Sequence, residues 1–166
     1  MKFSRIQELR ALNRKKVQTH LETRVETLFR GLLAEEERES ILKQDSLALA
    51  YVGDAYYSLY VRAMLVDSGV TKVRFTPELV TTIISAKGQA QSFLALEESL
   101  LEEELQVANK ARNANLSVPK SAEVWEYRLS TCLEAVFGYL YEVGEIERLD
   151  ALCHQALMHS VEAWNG

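Results

Sequence analysis

Two apolar stretches of this chain each carry one carboxylate. Leu47 to Met64 reads LALAYVGDAYYSLYVRAM, and its only acid is Asp54. Cys132 to Tyr141 reads CLEAVFGYLY, and its only charge is Glu134. An unpaired carboxylate inside a core costs several kcal/mol or stays protonated. Two such groups, far apart in sequence, most simply share a compensating cation. Ligation by one or two carboxylates plus waters suits Mg²⁺. With phosphate as a further ligand, such an ion activates water for phosphodiester hydrolysis. On spacing alone the plainer alternative is equally open: both acids are buried partners of Arg62, Lys87 or Arg128.

The expected surroundings repeat. Leu47, Ala50, Tyr51, Asp54, Ser58 and Val61 fall on one helical stripe, as do Tyr127, Thr131, Glu134, Gly138 and Tyr141. Gly53 adjoins the first acid and Gly138 lies one turn from the second, so the two helices can pack closely enough to bring the carboxylates to one ion. Other chemistry is poorly supported. Cys153 with His154 and His159 lacks the second Cys or His cluster that zinc requires. A Ser or Cys nucleophile needs a neighbouring His, and neither core stretch has one.

The elements that must position these acids read as helices throughout, with no sustained strand alternation. Val17, Leu21, Val25, Leu28 and Leu32 share one face of a Pro-free segment over 2–33, with a stop near Gly31 and a short connection after it. The Asp54 helix starts at Asp45 or Ser46 and ends before Asp67-Ser68-Gly69. Thr76-Pro77-Glu78 opens a helix running to about Leu96. Another spans Leu101 to Arg112. Asn113 to Lys120 is a polar loop, and Ser121 caps a helix to Glu142. Gly144 breaks it before a last helix to about Val161. The fold class is all-α.

The 166 residues are 48% hydrophobic and 26% charged, which fits a globular chain long enough to bury roughly 70% of its unfolded surface. Two cysteines do not make a disulfide frame. No signal peptide and no membrane-length apolar run is seen, so a soluble, cytoplasmic protein is expected. The net charge of −5 argues mildly against a general nucleic-acid binder. Bases nevertheless gather at Arg10 to Lys16 and from Lys110 to Arg128.

LALAYVGDAYYSLYVR resembles the signature helix of the ribonuclease III catalytic domain, and EYRLSTCLEAVFGYLY its second catalytic helix, with Glu134 matching the last acid. The similarity is greater to the mini-ribonuclease III branch, a nuclease domain with no double-stranded-RNA-binding domain. SAKGQA (Ser85 to Ala90), ARNAN (Ala111 to Asn115), VPKSAEV (Val118 to Val124) and GYLY (Gly138 to Tyr141) also match, in order, over about residues 45 to 155. Where full-length enzymes carry further acids this chain has Leu47, Ala50 and Thr131, replacements the mini branch shares.

The resemblance implies a ribonuclease III-like helical bundle over 45–166, with residues 1–44 an N-terminal extension it does not explain. It implies a homodimer that cuts both strands of duplex RNA with Mg²⁺, the ion held by Asp54 and Glu134. Its members trim the stem of the large-subunit (23S) ribosomal RNA precursor. RNA would be gripped by phosphate contacts, for which Lys87, Lys110, Arg112, Lys120 and Arg128 are candidates. Lys87 could equally pair with a core carboxylate. Tyr51, Val52, Ala55 and Tyr56 form the candidate dimer patch, Tyr51 matching an aromatic that enters the partner subunit; alternatively Tyr51 fills its own core. The rival function is a silent ribonuclease III fold that binds RNA or ribosomes as a scaffold.

Overall fold

The computed structural model describes Arg5, Lys15 and residues 35–69, 76–118 and 123–164. The chain divides into two compact units, Met1–Ala34 and Glu35–Gly166. In the first, Arg5 and Lys15 are helical and exposed; the remainder of the helix expected over 2–33 lies outside the described residues. Every regular element described in the second unit is helical. They are α1 (Glu35–Leu42), α2 (Ser46–Asp67), α3 (Thr76–Ile84), α4 (Ala86–Leu96), a short 3₁₀ turn (Glu97–Ser99), α5 (Glu102–Arg112), α6 (Val124–Glu142) and α7 (Ile146–Trp164). None is long and apolar enough to cross a membrane.

α6 is the central rod, packed against α2, α4 and α5. From Ser130 to Leu140 each of its residues except Glu134 is buried. A helix that is apolar all round needs cover on every side, and burying each side chain the size of Phe137 or Leu133 stabilises the fold by about 1.5–3 kcal/mol. The buried side of α2 carries Ser46, Leu49, Ala50, Gly53, Tyr57, Val61 and Leu65, and its Tyr57 ring lies 5.3 Å from that of Phe137 on α6. The two glycines set how closely the backbones approach. A Cβ on Gly53 would lie 1.9 Å from the Glu134 carbonyl oxygen, and one on Gly138 would lie 1.9 Å from that of Leu49. Alanine at either place would force the helices apart.

Several elements differ from the sequence expectation. The acidic run Glu35-Glu36-Glu37, read as a connection, forms the first turn of α1, where carboxylates favour the positive end of the helix dipole. Arg38 fastens α1 to the bundle by donating to Glu145 at 2.7 Å. The helix expected over 76–96 is broken at Ser85. Its backbone there is extended (ψ 156°) and its hydroxyl accepts from Gly88 N–H at 3.1 Å. The restart is tight: a Cβ on Gly88 would sit 2.5 Å from the carbonyls of Thr82 and Ile83. Asp45 caps α2, accepting from Leu47 N–H at 3.1 Å, as its position predicts. Gly144, at φ 79°, makes the turn between α6 and α7.

Candidate active site

Where α2 crosses α6 at Gly53 and Gly138, Asp54 and Glu134 stand beside the crossing. The structure corrects one expectation. Asp54 is exposed, not buried, because the core face of α2 runs through Gly53 and the next residue is turned about 100° from it. Tyr51, placed on the same presumed core stripe, is 82% exposed. Glu134 is half-buried. Burial first, and then the negative charge of Asp54, push its carboxyl up to about 8, against a smaller lowering by the Gln89 amide.

The three cations that could have made these acids an internal ion pair are engaged elsewhere or stand apart. Arg62 donates to the carbonyl and hydroxyl of Ser58 within its own helix. Arg128 donates to the carbonyls of Arg112 and Ala114 at the end of α5. Lys87 is exposed, and among the described residues no carboxylate lies within ion-pair distance of it. Among the described residues, two carboxylates therefore stand near one another without a counter-charge.

A third side chain enters from α4. Gln89 is 1% exposed, and its Nε2 donates to the Ile84 carbonyl at 3.0 Å and reaches Asp54 Oδ1 at 3.5 Å. Its Oε1 is buried with no hydrogen-bond donor among the described residues, an arrangement that costs about 1–3 kcal/mol when nothing meets the oxygen. Sequence reasoning passed over Gln89 because the SAKGQA block drew attention to its lysine. The available signal was a long polar side chain on an otherwise small and apolar helix.

Where the larger ribonucleases carry additional acids, Leu47 is half-buried, Ala50 is buried, and the buried Thr131 hydroxyl donates to the Tyr127 carbonyl at 2.8 Å. Among the described residues no three His, Cys, Asp or Glu side chains gather to hold a metal. Cys132 and Cys153 are buried free thiols, and His154 is exposed. The donor set for a cation at the crossing is thus oxygen only, the two carboxylates, with the Gln89 amide N–H reaching toward Asp54. That chemistry fits a hard divalent cation with its remaining positions filled by water or phosphate.

The other candidate cations have structural work. Lys110 Nζ donates to the carbonyls of Gln44 at 2.5 Å and Leu42 at 3.4 Å, closing the end of α1. Arg112 donates to Glu97 at 2.6 Å and lies over the Phe93 ring, 5.5 Å from its centroid. With Arg128, three of the five residues expected to meet RNA are already bonded inside the protein. Lys120 lies outside the described residues. In the candidate dimer patch Tyr51 and Ala55 are exposed and Val52 is half-buried. Tyr56 ties α2 to α7 by donating to Asp150 at 2.7 Å.

The Ribonuclease III domain family matches residues 47–145, a span that contains both acids and Gln89. The chain belongs to that family and is an endoribonuclease of its type. Within it, the similarity runs to the mini branch. The mini-ribonuclease 3 of a Thermoanaerobacter species is 40% identical over 113 residues, covering 68% of this chain and 80% of that protein. That of Streptococcus pneumoniae is 42% identical over 111 residues, covering 65% and 87%. The crystal structure of a Fusobacterium nucleatum protein superposes with a TM-score of 0.62 at 27% identity, covering 68% of this chain and 90% of that one.

Proposed function

We propose that this endoribonuclease hydrolyses double-stranded RNA with Mg²⁺, held by Asp54 and Glu134, and works as a homodimer. The observation that carries the reading is the pair of carboxylates at the closest approach of α2 and α6, with no cation beside them among the described residues. A bound divalent ion supplies acidity to water and positive charge against the phosphate. The protein's part is to hold its acids on two rigid helices, with Glu134 kept half out of water so that its charge is costly until a cation arrives. Lys87, exposed and two residues from Gln89, is the described cation best suited to a phosphate, and Lys120 is kept as a second contact.

Each subunit offers one acidic site, and cutting both strands in one encounter requires two. The exposed side of α2 carries Ala48, Tyr51, Ala55, Leu59 and Val66 at helical spacing, Leu59 67% and Val66 65% exposed. An apolar stripe of this kind suits the same stripe of a second copy across a two-fold axis. The large-subunit (23S) precursor stem is the substrate the family resemblance points to.

Incubating the purified chain with duplex RNA, with and without Mg²⁺, tests the reading. Cleavage only with the ion, leaving 5′-phosphate and 3′-hydroxyl ends, is expected. Binding without cleavage would favour the scaffold reading, which the apolar replacements at Leu47 and Ala50 would then explain. Equal cutting of a 23S precursor stem and an unrelated duplex would remove the assignment of substrate.

A further inference from the structure

We propose that Gln89 is a positioning residue of this site: its side-chain NH₂ group, anchored on the Ile84 carbonyl, steadies the Asp54 carboxylate beside Glu134, so that an arriving divalent ion meets both acids in place. The inference rests on the reading that those two acids hold the ion, and it adds a neutral donor from a third helix. The orientation of the amide carries it. The Ile84 carbonyl can only accept, so the end of Gln89 that lies 3.0 Å from it is the nitrogen. The same nitrogen reaches Asp54 Oδ1 at 3.5 Å, and a hydrogen bond from this amide favours the charged form of Glu134. A turned-over amide would set Oε1 against a carbonyl and two carboxylates, all of them acceptors. Oε1 faces away from the acids instead, buried and with no donor among the described residues. Among those residues no other side chain donates to either acid.

The kink before α4 explains why the donor stands there. In an unbroken helix the Ile84 carbonyl would accept from the N–H of Gly88, four residues on. Ser85 breaks the helix, and its hydroxyl takes that N–H at 3.1 Å, while the N–H of Gln89 goes to the Ser85 carbonyl at 2.9 Å. The Ile84 carbonyl is left for a side chain, and Gln89 meets it. With one hydrogen of the NH₂ so held and the side chain 1% exposed, the other hydrogen is fixed toward the acids. Asp54 is exposed, so a tether takes the most freedom from it. Carboxylates that bind metal are commonly held by hydrogen bonds from surrounding groups, and losing such a partner weakens metal binding about 10–100-fold. A neutral donor does this without supplying the counter-charge that the ion brings.

The test is a titration of the whole chain with Mn²⁺ in the absence of RNA, following the free ion by electron paramagnetic resonance, alongside thermal unfolding and duplex-RNA cleavage at graded Mg²⁺. Gln89→Met keeps the length and approximate volume of the side chain and removes the donor. It should weaken Mn²⁺ binding about tenfold and raise the Mg²⁺ needed for half-maximal cleavage by a similar factor, with KM for RNA and the ion-free melting temperature near wild type. Wild-type Mn²⁺ affinity in Gln89→Met overturns the proposal, as does a loss of stability with no change in ion demand. Gln89→Lys sets a charged donor against the same acceptors. It should melt above wild type without the ion and bind Mn²⁺ too weakly to detect, because the ammonium takes the ion's place. Should Gln89→Met lose helix content, Gln89→Lys decides alone, with Mn²⁺ affinity close to wild type counting against. Asp54→Asn and Glu134→Gln keep the two questions separate. If both bind Mn²⁺ as wild type, the ion site itself is misplaced; if both lose it while Gln89→Met does not, only the role of Gln89 falls.

Discussion

Glu104 and Glu134, on the packed helices α5 and α6, are treated in opposite ways. Glu104 on α5 is 1% exposed, and each of its oxygens is met. Arg148 of α7 donates Nε to Oε1 and Nη2 to Oε2, both at 2.9 Å, and Leu101 N–H donates to Oε2 at 2.8 Å. The same guanidinium reaches the Ser99 carbonyl at 2.8 Å. A forked pair of this kind satisfies the carboxylate inside the protein and ties α5 to α7. Glu134 on α6 has no such partner. Its charged neighbour is another acid, and its carboxyl is pushed up to about 8 as a result. Burial alone does not mark a functional acid. What distinguishes Glu134 is burial beside a like charge, with no counter-charge among the described residues.

Exchanging the two acids for their amides should separate these roles most sharply. Asp54→Asn and Glu134→Gln are expected to abolish cleavage in a duplex-RNA assay while duplex binding and helix content persist, because shape is kept and the charge that recruits the ion is lost. Glu134→Gln should also unfold at a higher temperature, since it removes an uncompensated charge. Glu104→Gln should do the reverse. It strands Arg148 and costs roughly 3 kcal/mol, the low end for breaking a buried pair, with the remaining folded protein still active. Near-normal cleavage by Glu134→Gln would make both acids structural and erase the contrast.

The proposed dimer adds a second comparison, between the two faces of α2. Tyr57 on the inner face is 1% exposed and Tyr51 on the outer face 82%, so Tyr51 does not fill its own core. Tyr51→Asp should leave the monomer folded and shift light scattering from dimer to monomer, with duplexes nicked rather than cut through. A wild type that is monomeric at micromolar concentration would remove the paired-site mechanism.

Acidity offers a quieter probe of the unpaired acid. The Glu134 carboxyl goes from the ordinary 4.5 to about 8 on folding, so between those values the folded protein holds a proton that the unfolded chain has released. Its contribution to stability is full below about pH 4.5 and is lost as pH rises to about 8. In the ion-free protein, the melting temperature of wild type should fall relative to Glu134→Gln across that window. Mg²⁺, which favours the carboxylate, should recover the loss at the upper end. Parallel curves would place Glu134 in a more hydrated setting.

Much of this was legible in the chain because charge is conspicuous against an apolar background. One acid in each of two uncharged stretches, each beside a glycine, located the crossing of α2 and α6 before any geometry was known. The phase of α2 was harder to read. Both of its faces are apolar, one for the core and one exposed, so periodicity could not say which face Asp54 and Tyr51 shared. The kink at Ser85 escaped because Ala, Gly and Gln around it neither favour nor forbid a continuous helix; the Ser85 hydroxyl and the space at Gly88 decide it. Gln89 escaped for a related reason, since only side-chain geometry brings its amide N–H to Asp54 and the Ile84 carbonyl. The basic residues show a further layer that sequence does not. Lys110, Arg112 and Arg128 read as a patch, and each also has a partner inside the protein, helix-end carbonyls or Glu97, which the exposed Lys87 does not show among the described residues.

That last distinction gives the smallest expected effect and can be argued from the contacts. A cation that meets a phosphate releases counterions, and the slope of log K against log salt changes by about 0.7–0.9 for each contact removed. Lys87 is exposed with no carboxylate within ion-pair distance among the described residues, so Lys87→Ala should weaken duplex binding a few-fold and flatten the slope by about one such unit, leaving the melting temperature and the cut position unchanged. Arg112→Ala removes the bond to Glu97 and the stack on Phe93. It should lower the melting temperature with little change in slope, because its charge is spent inside the fold. If instead Arg112→Ala flattens the slope and Lys87→Ala does not, RNA competes successfully with Glu97 for the guanidinium, and the footprint lies across the end of α5 rather than at the start of α4.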